Sequence, residues 1–362
     1  MTAFTIDIRQ AELDDLRARL LATRWPDAVV DDWSQGTAPG DLRRLIDYWA
    51  QEFDWRAAEA RLNAFEQVKI DGVHALRVGT RGATPLLLIH GWPDGFVRFE
   101  RAIPYLAERF ELVIPSIPGY GFSDRPDVGL GPAGVARHLA HLMTSLGFDR
   151  FGVHGADIGS QIAEQLTLQH PERVIGLHLG DVPLRRLRAL PADQLDDEER
   201  AWTVAAQQWD VTEGAYGHQQ RTKPQTLAAA LNDSPAGLAS WMLEKFQSWT
   251  DDAASLTLDE LCTNLTIYWV TQTAGSAGRY YYDARVATDL SSDPVTVPTG
   301  IAVFPKDLLR APRHSAERWF DIQRFTEMPA GGHFGPWEEP QAWAAEITAF
   351  FDQLSEPDLA RA

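Results

Sequence analysis

The sequence predicts an α/β fold with three parts: a mostly parallel central sheet, a helical cap inserted between two of its strands, and an N-terminal helical segment wrapped around it. Three observations carry this. Short apolar runs recur between helical patterns, as buried parallel strands do: Pro85-Leu86-Leu87-Leu88-Ile89, Phe110-Glu111-Leu112-Val113-Ile114-Pro115 and Val174-Ile175-Gly176-Leu177-His178-Leu179. The run Phe151-Gly152-Val153-His154 enters Gly155-Ala156-Asp157-Ile158-Gly159-Ser160 and then the helix-like Gln161-Ile162-Ala163-Glu164-Gln165-Leu166. Strand, glycine-bracketed turn and helix make a nucleophile elbow, which lifts one side chain, here Asp157, above the sheet. From about 181 to 290 the strands stop and a helical, Trp- and Tyr-rich segment intervenes before Thr299-Gly300-Ile301-Ala302-Val303-Phe304 resumes the sheet.

Taken in order, Leu13, Leu16, Leu20 and Leu21 recur at helix spacing, and Pro26 stops that helix. Further helices are predicted over 41–53 and 54–62. Val68 to Val78 reads as two strands about an Asp71-Gly72 hairpin turn. A helix follows over 133–146. A last strand is predicted at Arg324-Phe325-Thr326-Glu327-Met328 and a last helix from Pro340 to Phe351. The chain thus divides into an N-terminal segment (1–67), a first core part (68–180), the cap (181–290) and a second core part (291–362).

Composition excludes several function classes. The 362 residues carry a formal net charge of −18, which disfavours nucleic acids and anionic membranes as partners. Cys262 is the only cysteine, so no internal disulfide forms and a reducing, cytoplasmic setting is expected. No basic-then-apolar leader opens the chain, and no apolar stretch reaches the ~20 residues that span a bilayer.

Asp157 at the elbow decides the chemistry. A carboxylate is a poor acylating nucleophile, but it attacks saturated carbon to form an alkyl-enzyme ester. Water must then hydrolyse that ester, which needs a base and a carboxylate to orient the base. His333, in the turn Gly331-Gly332-His333-Phe334, supplies the base. His90 and His154 precede their turns and should point at backbone or core, and His170 reads as a helix end. For the orienting acid, Asp307 and Asp181 both follow strand ends, and Asp307 is preferred. Backbone N–H groups of Trp92, in His90-Gly91-Trp92-Pro93, and of Ile158 should form the oxyanion hole. The reaction is then the opening of an epoxide or the displacement of a halide: an epoxide oxygen needs a proton as it leaves, which a cap tyrosine can give, whereas a halide needs Trp or Asn N–H donors. Tyr216, Tyr280, Tyr281 and Tyr282 are the candidates, with simple packing as the alternative for each.

With these motifs in place the chain resembles the microsomal-type epoxide hydrolases of the α/β-hydrolase superfamily over nearly its whole length. The likeness rests on Thr23-Arg24-Trp25-Pro26-Asp27 and Phe53-Asp54-Trp55-Arg56 in the N-terminal segment. It continues through His90-Gly91-Trp92-Pro93, Gly119-Tyr120-Gly121-Phe122-Ser123, Arg279-Tyr280-Tyr281, Phe304-Pro305-Lys306-Asp307 and Gly331-Gly332-His333-Phe334. The resemblance implies Tyr216 and Tyr281 as ring-opening acids and Asp307 as the orienting acid. It implies a small-molecule epoxide as substrate, no cofactor and no metal, with a homodimer possible, and the cap aromatics suggest that the substrate is bulky and hydrophobic. Two readings stand beside it: a haloalkane dehalogenase, and an inactive hydrolase that binds a hydrophobic ligand. The family's Gly-Gly-Asp-Trp-Gly elbow is here Gly155-Ala156-Asp157-Ile158-Gly159, its His-Gly-Trp-Pro-Gly-Ser loop carries Asp94-Gly95, and its acid is often Glu. The membrane-anchored members' hydrophobic N-terminal helix has no counterpart, so a soluble protein is expected.

Overall fold

The computed structural model of the protein describes residues 2–182 and 184–354. Nine strands form one sheet: β1 (Thr2–Ala3), β2 (Glu66–Ile70), β3 (Val73–Gly79), β4 (Thr84–Ile89), β5 (Phe110–Pro115), β6 (Phe151–Gly155), β7 (Val174–Leu179), β8 (Val295–Val303) and β9 (Phe320–Glu327). Their spatial order is β1-β2-β3-β5-β4-β6-β7-β8-β9. The pairings β1/β2, β2/β3 and β3/β5 are antiparallel, and every pairing from β5 to β9 is parallel. The Asp71-Gly72 turn joins β2 and β3 with positive φ at both residues, 45° and 81°, as a tight hairpin requires.

The central strands are apolar on both faces because helices cover both. Alternation along β6 assigns the faces. Gly152 and His154 meet Phe351 and Trp343 of the last helix, Pro340–Gln353, whereas Gly155 meets Gly159 and Ala163 of the elbow helix, Ile158–Gln169.

Two strand boundaries differ from the reading of the sequence. β9 covers Phe320–Glu327 rather than 324–328. It is the sheet edge, with Phe320 buried and the other residues half-buried or exposed, so its first half lacks an apolar run. β8 starts at Val295, four residues before the expected Thr299, because Pro298 and a register shift interrupt its first half.

Between β7 and β8 the described chain is all helical from Leu184 to Val286. The N-terminal helices bridge this cap and the core. Trp49 Nε1 donates to Thr266 Oγ1 (2.9 Å) and Thr37 Oγ1 to the Ser240 carbonyl (2.7 Å), both on cap helices. On the core side β1 pairs with β2, and within the segment the Ile6 and Ile8 amides donate to Asn63 (2.9 Å) and Glu59 (2.8 Å). Among the described residues no helix is long and apolar enough to cross a membrane.

Candidate active site

The elbow holds Asp157 at φ 57°, ψ −130°, a conformation that costs a non-glycine residue energy and that its surroundings must enforce. Close packing enforces it. A Cβ on Gly155 would overlap the Gly159 carbonyl, and one on Gly159 would lie 2.6 Å from the His90 carbonyl oxygen. Only glycines at both positions let the turn sit this tightly between β4 and β6.

Asp157 Oδ1 accepts the Trp92 N–H at 3.0 Å, and Oδ2 lies 3.4 Å from His333 Nε2. His333 Nδ1 lies 2.7 Å from Asp307 Oδ1, which also accepts the Leu308 N–H at 2.7 Å. The His333 backbone is fixed by its N–H to the Trp249 carbonyl (2.8 Å) and by Arg98 Nη2 on its own carbonyl (3.2 Å). Burial lowers the pKa of His333, but the carboxylates of Asp307 and Asp157 outweigh it and raise the pKa. Burial raises that of Asp307, and the His333 cation outweighs it in turn.

Asp181 has a different place. Its Oδ2 accepts the Asp157 backbone N–H at 3.2 Å, so it braces the elbow from below. Burial, then the neighbouring charge of Asp307, pushes its carboxyl up to about 7. Of the two expected oxyanion donors, the Trp92 amide alone is bonded to the carboxylate here, and the Ile158 amide opens the elbow helix beside it.

The Trp92 loop is held from three sides. The Trp92–Pro93 peptide is cis. Asn264 Nδ2 donates to the Pro93 carbonyl (2.9 Å) and the Tyr268 hydroxyl to the Asp94 carbonyl (2.8 Å), both from one cap helix. Asp94 Oδ1 accepts the Gly91 N–H (3.0 Å), and its Oδ2 meets Arg98 Nη1 at 2.6 Å. Arg98 therefore ties the Trp92 loop to the His333 loop through two fully buried charges. Burial pushes the Asp94 carboxyl up to about 6 against the pull of Arg98. His90 faces inward: Nε2 accepts the Ile117 N–H (3.0 Å) and Nδ1 donates to the Gly91 carbonyl (2.8 Å), while burial lowers its pKa to about 4. His154 packs on His178 in the core, and His170 ends the elbow helix.

Above Asp157 lies a cavity of about 440 Å³ lined by Asp157, Ile158, Asp307, His333, Tyr216, Tyr280 and Tyr281, among others. Tyr216 stacks on the Trp92 ring (centroids 5.2 Å, planes 4° apart), and Tyr281 stands edge-on to both, at 5.9 Å and 6.2 Å. Neither hydroxyl has a hydrogen-bond partner among the described residues, and the hydroxyl of Tyr280, on the same wall, is buried without a partner as well. Burial raises both tyrosine pKa values, the charge of Asp157 adding to it, so both stay protonated at neutral pH. Tyr282 is exposed and does not line this cavity.

The family profile for the epoxide hydrolase N terminus matches residues 1–99, and that for the alpha/beta hydrolase fold matches residues 84–340. A putative epoxide hydrolase of Stigmatella aurantiaca is 37% identical, the match covering 98% of this chain and 85% of that one. The chain belongs to the epoxide hydrolases. Epoxide hydrolase 1 of Sus scrofa is 33% identical over 98% of this chain and 89% of its own length. The crystal structure of juvenile hormone epoxide hydrolase from the silkworm Bombyx mori superposes with a TM-score of 0.86 at 27% identity, covering 98% of this chain and 94% of that one. The Aspergillus niger epoxide hydrolase gives 0.85 at 29% identity, covering 98% and 96%.

Sequence reading missed two features of this epoxide hydrolase site. One is the Asp94–Arg98 tie, whose signal was an i, i+4 acid–base pair beside the loop. The other is a set of four arginines on the cavity wall: Arg185, Arg188, Arg221 and Arg285. Among the described residues a single group, Asp196, Glu199 and His314, has the spacing of metal ligands. It lies outside the cavity, and Glu199 there already accepts Arg318 Nη2 (2.7 Å) and Ser315 Oγ (2.9 Å), which makes it an ion-pair network.

Proposed function

We propose that the protein converts an epoxide to a vicinal diol through an ester on Asp157. The observation that carries this is the division of labour between the two carboxylate oxygens. Oδ1 rests on the Trp92 amide, while Oδ2 faces His333 and the cavity that Tyr216 and Tyr281 line from the cap. Oδ2 attacks an epoxide carbon. The carbon–oxygen bond breaks, and Tyr216 or Tyr281 protonates the leaving oxygen. Ester formation removes the Asp157 charge, and with it one of the influences that hold His333 protonated. His333, oriented by Asp307, then takes a proton from water as that water attacks the ester carbonyl carbon. The oxyanion forms on the oxygen already held by the Trp92 amide, where the Ile158 amide is free to join. Collapse breaks the ester carbon–oxygen bond as His333 gives its proton to the departing diol oxygen; the acid left on Asp157 loses its proton to solvent, and solvent returns one to the tyrosine.

A halide leaves without a proton, so paired tyrosines favour an epoxide over a haloalkane. The test is a single turnover in heavy-oxygen water. The first diol formed should carry no heavy oxygen, with the label retained in the Asp157 carboxylate. Heavy oxygen in the first diol would mean that water attacks the epoxide directly, and this mechanism would fall.

A further inference from the structure

Four guanidinium groups line the cavity above Asp157, in a chain with 33 basic and 51 acidic residues. They converge from separate cap elements: Arg185 and Arg188 on the helix Leu184–Arg188, Arg221 on Ala215–Thr222, and Arg285 on Ala274–Val286. Arg285 stands one helical turn beyond Tyr281, and Arg221 follows Tyr216 on the same short helix. Among the described residues, the only acid on the cavity wall apart from the reacting carboxylates and Asp181 is Asp210.

The charges are not balanced by the protein. Asp210 is taken by Arg188, with Oδ2 at 3.1 Å from Nη1. Arg185 reaches the Ser291 carbonyl (3.3 Å), and its nearest carboxylate, Glu164 at 4.0 Å, is already paired with Arg186 at 2.6 Å. Arg285 is exposed, lies against the likewise exposed Tyr282 ring, 5.5 Å from its centroid, and has no carboxylate partner among the described residues. Arg221 is half-buried, and none of the described carboxylates pairs with it. Holding the half-buried Arg221 unpaired costs free energy unless an anion arrives there, and the exposed Arg285 is free to meet the same anion from the mouth of the cavity. None of the four lies within ion-pairing distance of Asp157 or Asp307, so they do not serve to neutralise the reacting carboxylates.

We infer that the substrate is an epoxide bearing an anionic group, such as a carboxylate, which Arg221 and Arg285 bind at the cavity wall while the ring lies over Asp157. This rests on the epoxide hydrolase reading above and narrows it, against the expectation of a hydrophobic epoxide drawn from the cap aromatics. Those aromatics pack largely on one another, Tyr216 with Trp92 and Trp249, and leave guanidinium groups on the wall. A local positive patch also offsets the repulsion that a strongly acidic protein exerts on an anion approaching its mouth.

The test compares ω-epoxy carboxylates of increasing chain length with their methyl esters, alongside neutral styrene oxide. At the best chain length kcat/KM for the acid should exceed that for the ester by roughly tenfold or more, the range of a charge-assisted hydrogen bond. Arg221→Gln and Arg285→Gln should collapse the acid-to-ester ratio, chiefly through KM. Arg221→Lys should restore part of it, and added salt should lower it in the wild type. A ratio near or below one at every chain length, with styrene oxide still hydrolysed, would overturn the inference and leave the epoxide hydrolase reading standing. A high ratio that survives both glutamine variants would overturn the assignment to these arginines. No turnover of any epoxide would sink the reading beneath it.

Discussion

Asp157, Asp181, Asp307 and His333 form one electrostatic unit, and its members titrate differently because they are placed differently. Asp307 and His333 stabilise each other's charge. Burial, and then the charge of Asp307, pushes the Asp181 carboxyl up to about 7 from the ordinary 3.8. A carboxyl whose folded pKa exceeds its unfolded one holds protons that the unfolded chain has already released. Stability from this group therefore falls as pH rises from about 4 to about 7. Asp181→Asn should raise the melting temperature relative to wild type at pH 8 and change it much less at pH 4, which thermal scans at the two pH values would check. An equal shift at both would place the effect in packing. His333 gives a second residue-scale prediction. Hydrolysis of the ester, followed in a single turnover, should speed up with pH through a midpoint below the His333 titration of the free enzyme, because the ester lacks the Asp157 charge. The residue types of the site were legible in the sequence because a strand–Gly-x-Asp-x-Gly–helix pattern and a Gly-Gly-His turn are local. Which aspartate meets His333 was legible only as a preference for Asp307, since Asp181 also follows a strand end and the three-dimensional register is what separates them.

The loops depend on contacts between elements far apart in sequence. Arg98 joins the Trp92 loop to the His333 loop, and both it and Asp94 are buried. Removing one partner strands a buried charge, so Arg98→Met should cost about 3–5 kcal/mol in denaturant unfolding. The double variant Asp94→Asn with Arg98→Met should recover part of that loss, and strict additivity of the two changes would show that the pair is not coupled. An i, i+4 spacing signals such a pair in a chain, but nothing local marks it as buried or as reaching residue 333. The strands behave alike: β4 to β7 were readable as apolar runs, whereas β9 is a half-exposed edge and β1 is two residues long, too short to leave a pattern.

Across the whole molecule, the N-terminal segment is the clamp between core and cap. Its helices bond to cap helices through Trp49 and Thr37, and its first strand extends the sheet. Trp49→Phe keeps the ring packing and removes one donor, leaving the Thr266 hydroxyl short of a buried partner. The expected cost is roughly 1–3 kcal/mol, read from the unfolding midpoint. Its wrapping role was legible from amphipathic helices without reactive clusters, but its grip on the cap was not, because those contacts join residues about 200 positions apart. The same distance hid the arginine wall, assembled from three helices whose basic residues individually read as surface charge.

The most direct measurement of the central claim, a covalent ester on Asp157, is the intact mass of a His333→Gln variant mixed with an epoxide it can bind. Without the base, attack should proceed and hydrolysis stall. The protein should gain the mass of one whole epoxide, peptide mapping should place it on Asp157, and the gain should vanish when Asp157 is also changed to Ala. A variant that forms diol at the wild-type rate with no adduct, or an adduct that persists without Asp157, would contradict the account.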